Sequence, residues 1–251
     1  MRKVAFISTE PDNQEKMRFR GEQRKIRHAV FIQLEEQGLE PKIHRPVTNI
    51  KDFPDVSKYY GVVIGGSKHN VFDRDIAKHP WMAKLADFVR DAHERVPVLG
   101  LCFGHQLIGK AFGGTLLSYD NWYEVGFNSV TLAPAAKDDP LFKGSPETFD
   151  ALFSHFSYIT SNGTSELPIT PLLYSSDPNN KSLQAFRVGY MTWGVQFHPE
   201  YDQQGVADLV RARAGMIRHM VDVPKTLQGL QRAEREDRLP FLNFVEFVKN
   251  Y

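Results

Sequence analysis

The chain is nearly devoid of cysteine: Cys102 is the single one among 251 residues. That excludes an intramolecular disulfide and any metal site built on several cysteines, and it fits a reducing compartment. Charge of one sign is just as scarce, with 31 Lys+Arg against 30 Asp+Glu and a formal net charge of +1. So balanced a chain offers no footprint for phosphate backbones, and no nucleic-acid partner is expected. No apolar run approaches the ~18 residues needed to span a bilayer. The opening MRKVAFISTE holds only a short apolar stretch, Val4 to Ile7, where a signal peptide needs a longer one. The expectation is a soluble cytoplasmic protein without membrane attachment. A dinucleotide GxGxxG and a Walker loop are also missing, and no cofactor or metal is expected. What remains is ordinary, 41% hydrophobic and 24% charged, which excludes disorder as the dominant state.

Short β-branched runs alternate with amphipathic stretches. Val4 to Ile7 reads as a buried strand, followed by Ile26, Val30 and Leu34 on one helical face that ends at Gly38. Lys42 to His44 and Gly61 to Ile64 read as further strands. Trp81, Leu85, Phe88, Val89 and Ala92 form a helical stripe, Val96 to Leu101 a fourth strand, and Leu107, Ile108 and Ala111 a new helical face. Strands apolar on both faces, separated by helices, predict a parallel sheet covered on both sides. From about Leu116 to Val195 shorter strand-like pieces with turns at Asp139-Pro140, Ser161-Asn162-Gly163 and Asp177 to Asn180 predict added antiparallel strands. Val206, Val210, Ala214, Ile217 and Val221 then share a helical face. After the charged RAEREDR, Phe241, Phe244, Val245 and Val248 predict a C-terminal helix docked on the body.

The chemistry concentrates in Gly100-Leu101-Cys102-Phe103-Gly104-His105-Gln106, where a buried strand meets a helix. A nucleophile on such a bend is exposed above the sheet edge, and glycines let the backbone fold back close to itself. The helix N-terminus favours a thiolate, and the Phe103 N–H is a natural oxyanion donor. The plainer reading of a lone cysteine is a small buried hydrophobe. A second segment, Trp193 to Glu200, ends in His198-Pro199-Glu200. Extended alternation would put His198 and Glu200 on one side, with Glu200 orienting a ring that reaches a nucleophile elsewhere. The plainer reading is a surface histidine beside an incidental carboxylate. A third, Gly65-Gly66-Ser67 after a strand, suits an anion or an oxyanion, or is an ordinary β-to-α turn.

Together GLCFGHQ, HPE and the early GGS resemble the class I, triad-type glutamine amidotransferases, and most closely the stand-alone GMP synthase-like set. The matching pieces run from the first strand to about His219, and residues 224–251 lie outside them. The resemblance implies a flavodoxin-like α/β fold with the site at the strand carboxyl ends. It implies that Cys102 attacks the glutamine side-chain amide, that His198 moves the proton, and that Glu200 orients His198. Gly66 and Phe103 would hold the oxyanion, and water would then hydrolyse the γ-glutamyl thioester. Gln106 matches a position that helps hold the α-amino-acid end of the substrate, and Ser154-His155-Phe156-Ser157 resembles a segment whose backbone grips glutamine, with His155 equally readable as a satisfied histidine. Where relatives joined to a synthetase read Ser-Gly-Gly-Pro, this chain has Ile64 and Ser67 around the glycine pair.

The polar stretch Pro11 to Arg24 falls near the expected site and reads either as a substrate-selecting segment or as a solvated helix start. Asn121-Trp122-Tyr123-Glu124 reads as site lining or as core. The expected organisation is a single domain over 1–251 with 224–251 as a helical extension. Three functions follow. A glutaminase subunit would release ammonia for a separate ammonia-accepting synthetase. A self-sufficient γ-glutamyl hydrolase or peptidase would use the same triad. A cysteine redox sensor needs only Cys102 and leaves His198 and Glu200 without use. The oligomeric state is not legible.

Overall fold

The computed structural model describes residues 1–10, 29–119, 123–160, 168–177, 180, 182–201, 203–230 and 235–251. The Pro11 to Arg24 stretch, Ile26, Asn121, Trp122 and the Ser161 to Gly163 turn lie outside the described residues, as does the Val206 side chain.

A nine-stranded mixed sheet forms the centre. Its strands are β1 (Lys3–Ile7), β2 (Glu40–His44), β3 (Gly61–Ile64), β4 (Val98–Leu101), β6 (Glu124–Leu132), β7 (Thr148–His155), β9 (Ile169–Ser175), β10 (Leu183–Val188) and β11 (Thr192–Val195). Their order is β2-β1-β3-β4-β11-β10-β9-β6-β7, with β5 (Thr115–Ser118) and β8 (Ser157–Thr160) pairing separately. From β2 through β11 neighbours run parallel, and from β11 through β7 they run antiparallel. The expected parallel sheet with added antiparallel strands is therefore observed. The antiparallel half is not made of shorter pieces, however, since β6 and β7 have 9 and 8 residues. Strand β2 also starts earlier than Lys42: Pro41 pairs with Val4, which an edge strand tolerates because one row of its N–H groups faces away from the sheet.

Strand alternation splits the core in two. Val4, Phe6, Val63, Leu99 and Leu101 face α1 (Ala29–Glu36) and α7 (Leu239–Asn250). Ala5, Ile7, Val62, Ile64 and Val98 face α3 (Pro80–Ala92) and α4 (Phe103–Ala111), with the short α2 (Asp73–Lys78) leading in. Both faces are apolar because both are covered, as in parallel sheets generally. The predicted C-terminal stripe is fully buried: Phe241, Phe244, Val245 and Val248 are at most 1% exposed. Over the antiparallel end lie α5 (Gln203–Ile217) and α6 (Val223–Gly229), packing Val210, Ile217 and Leu230 on Tyr123 and Leu152. Helix α5 stops at Ile217, so Val221 packs from beyond its end.

Candidate active site

Cys102 stands between β4 and α4 with φ 50° and ψ −96°, the only non-glycine residue with positive φ among the described residues. Such a conformation costs on the order of 1–3 kcal/mol and persists only when its surroundings enforce it. Two glycines enforce it here. A Cβ on Gly100 would come 2.5 Å from the Gly104 carbonyl carbon, and one on Gly104 would come 2.6 Å from the Ile64 oxygen. The backbones of β3, β4 and α4 thus touch where side chains would hold them apart, and the Cys102 N–H bonds the Val195 carbonyl at 2.9 Å. Phe103 opens α4, so its N–H belongs to the first turn, which has no intrahelical acceptor.

The glycine turn after β3 meets this bend. A Cβ on Gly66 would lie 3.4 Å from His198 Cε1 and 3.7 Å from Cys102 Cβ, so the turn packs against both side chains. Thr9 holds it: the Thr9 hydroxyl donates to the Gly66 carbonyl, and the Ser67 hydroxyl donates back to the Thr9 carbonyl at 3.1 Å.

His198 and Glu200 come together, although not by strand alternation. Strand β11 ends at Val195, and residues 199–200 lie in a turn. His198 Nδ1 bonds Glu200 Oε1 at 2.8 Å. The Gln33 side chain on α1 donates to the Glu200 carbonyl. His198 Nε2 makes no well-formed hydrogen bond among the described residues, which leaves it for the Cys102 sulfur.

Burial alone would push the His198 imidazolium down. The Glu200 carboxylate and the Cys102 sulfur more than offset that, and the pKa rises from 6.5 to about 10. His105 on α4 is the internal contrast. Equally buried and without such a partner, it is pushed down to about 3 and stays neutral. Cys102, His198 and Glu200 are 6%, 4% and 1% exposed, so these charges act with little screening by water.

The open edge of β7 carries the histidine side of the site. The Leu152 carbonyl accepts the His198 N–H at 2.8 Å, and the Leu152 N–H donates to Asp237 Oδ2 at 3.1 Å. Asp237 pairs with Arg235 at 2.7 Å, and Arg235 reaches on to the carbonyls of Tyr201, at 3.1 Å, and His198, at 3.4 Å. Burial pushes the Asp237 carboxyl up, against the pull of Arg235. Two positions along the strand, the Ser154 carbonyl accepts from Arg213 Nη1 at 3.0 Å.

The other expected positions are engaged with protein. Gln106 Nε2 donates to the Ser157 carbonyl at 2.7 Å and to Gln196 Oε1 at 3.0 Å. His155 Nδ1 lies 3.0 Å from the Ser157 carbonyl, and its Nε2 lies 3.0 Å from Glu124 Oε2, too bent for a hydrogen bond. Phe156 is half-buried, and its carbonyl accepts the Tyr119 N–H at 2.9 Å. Of the aromatic cluster, Tyr123 is buried with its hydroxyl 2.9 Å from Ser154 Oγ. Thr9, Gln33, Arg213, Arg235 and Asp237 carry no local motif, and sequence reasoning missed them.

Among the described residues no helix is long and apolar enough to cross a membrane. A family model described as "Glutamine amidotransferase class-I" matches residues 23–208. The chain is 32% identical over 185 residues to gamma-glutamyl peptidase 3 of Arabidopsis thaliana, covering 70% of this chain and 68% of that protein. It is 29% identical over 188 residues to one subunit of the glutamine-hydrolyzing GMP synthase of Methanococcus maripaludis, covering 73% and 86%. A glutamine amidotransferase structure from Thermotoga maritima superposes with a TM-score of 0.74 at 18% identity, over 99% of this chain and 98% of that one.

Proposed function

The chain belongs to the glutamine amidotransferase class-I family, and on that premise we propose that it hydrolyses a γ-glutamyl amide through a thioester on Cys102. The observation that carries this reading is the His198–Glu200 bond of 2.8 Å beside a glycine turn that touches both His198 and Cys102. The Cys102 sulfur bonds to the γ-carbonyl carbon while its proton rests on His198 Nε2. The N–H groups of Gly66 and Phe103 take the oxyanion that forms. His198 then gives the proton to the departing nitrogen as the C–N bond breaks. Water attacks the thioester, loses a proton to His198, and releases glutamate and the sulfur. Glu200 orients the ring and keeps it charged. Gln106 acts as a strut under the 154–157 corner, whose backbone, at His155 and Phe156, faces the substrate.

Glutamine is the substrate in this reading, and ammonia passes to a separate synthetase, as the name of the Methanococcus relative implies for that protein. The 32% identity to gamma-glutamyl peptidase 3 favours a second reading, a self-sufficient hydrolase of γ-glutamyl peptides. In both, α7 belongs with residues 1–223 as one domain, since it shares their core.

The test is ammonia and glutamate release from glutamine and a panel of γ-glutamyl peptides, with Cys102→Ala alongside. The variant should lose at least ~10³-fold in kcat, and turnover near wild type would sink the mechanism. Slow glutamine turnover with little peptide cleavage supports the synthetase-linked role, and preferred peptide cleavage supports the hydrolase.

A further inference from the structure

Each of the other part-buried arginines that makes an ion pair has its own carboxylate: Arg187 has Asp139 at 2.8 Å and Arg235 has Asp237 at 2.7 Å. Even the exposed Arg211, two positions from Arg213, has Asp208 at 3.0 Å. Arg213 pairs with no carboxylate among the described residues. Its three hydrogen bonds all leave from Nη1, to the Tyr123 hydroxyl, the Ser154 hydroxyl and the Ser154 carbonyl. They lock the guanidinium in place and leave the Nε–Nη2 edge without a partner among the described residues. That edge presents two parallel N–H groups, the geometry that grips a carboxylate at two points.

The position of this cation is set by β7. Ser154 and Leu152 are two residues apart on the open edge, and their carbonyls hold Arg213 and the His198 backbone respectively. One such step along a strand is about 7 Å. Four single bonds between a γ-carbonyl carbon and a carboxylate carbon span about 5 Å. A small γ-glutamyl compound reacting at Cys102 therefore reaches Arg213 with a carboxylate.

We propose that Arg213, fixed by Tyr123 and Ser154, is a carboxylate receptor beside Cys102, which makes the substrate a γ-glutamyl compound selected through a carboxylate. This rests on the amide hydrolysis proposed above and adds its specificity. The electrostatics agree. Burial pushes the Arg213 guanidinium down, but Tyr123 and the Cys102 sulfur outweigh it, so the cation lies within the field of the nucleophile. An arginine serving only to tie down Ser154 would not need to leave its charge uncompensated in a half-buried place. The carboxylate has two sources, the α-carboxylate of the glutamyl group or one on the leaving group, and the substrate pairs below separate them.

The experiment measures kcat/KM for glutamine, glutamine amidated at its α-carboxylate, γ-glutamylglycine and γ-glutamylglycine amide. In the wild type, amidation of the recognised carboxylate should cost about 10- to 100-fold, and whichever pair shows it names the source. Arg213→Met should lose a similar factor on the parent substrate and nothing further on amidation, with Arg213→Lys in between. Equal losses on all four substrates, or discrimination that survives in Arg213→Met, would overturn the receptor and leave a structural arginine.

Calorimetric binding of glutamate and γ-glutamylglycine to Cys102→Ser, with and without Arg213→Met, reads the same receptor without turnover. At least a 10-fold weakening is expected. Arg213-dependent binding in a protein that hydrolyses nothing keeps the receptor and retires the hydrolase. Hydrolysis and binding both indifferent to Arg213 do the reverse.

Discussion

On the Cys102 side, backbone meets backbone: Gly100, Gly104 and Gly66 permit contacts that a single methyl would block, and apolar strands lie behind them. On the His198 side, buried polar groups meet across long stretches of chain: Gln33 at the Glu200 carbonyl, Asp237 at Leu152, Arg235 at His198 and Tyr201. The first side is held by shape, and shape tolerates no added volume. The second is held by pairs of hydrogen-bonding groups, and a pair is vulnerable to the loss of either member. The nucleophile needs an enforced backbone, whereas the base needs a chosen charge state, and each side supplies what its residue requires.

This contrast is testable by substitution, and the largest effect belongs to the polar side. Arg235→Ala strands a buried Asp237, so unfolding in urea should show a loss of about 3–5 kcal/mol. A change within ~0.5 kcal/mol would mean that the clamp carries no weight. Glu200→Gln should lower kcat/KM by ~10²-fold, less than loss of Cys102, which is equivalent to about 2.7 kcal/mol. It should also move the alkaline limb of the pH profile downward from about 10. The sign follows from the charge. The His198 imidazolium is favoured in the fold, so its contribution to stability is fully present below 6.5 and is lost as pH climbs through about 10. Removing the carboxylate brings that loss to lower pH, and an unmoved limb would uncouple Glu200 from the histidine. Gly104→Ala, on the shape side, should cost about 1–3 kcal/mol with the pH profile unchanged in the folded fraction. A displaced profile there would blur the distinction between the two sides.

The same contrast explains what could be read in the sequence. The parallel half was legible because its strands are apolar on both faces and its helices keep a 3.6-residue stripe, as Trp81, Leu85, Val89 and Ala92 do. The Cys102 bend was legible because its glycines are sequence neighbours. His198 and Glu200 were visible through their spacing, but a turn joins them, and period-two reasoning misread the geometry. Arg213 and Arg235 look like solvated charges in RARAG and RAEREDR. Only the fold brings them to the β7 edge, and contacts between residues far apart leave no local period to detect.

The Arg235–Asp237 clamp also bears on when the site comes into being. Arg235 follows His198 by 37 positions, so a ribosome adding roughly 5–20 residues per second delivers it about 2–7 s later. During that interval the emerging chain has its nucleophile and its histidine but not the group that ties the histidine turn to the sheet edge. The nascent protein is therefore expected to acquire its bend early and its working base last, with competence arriving as one of the closing events of synthesis.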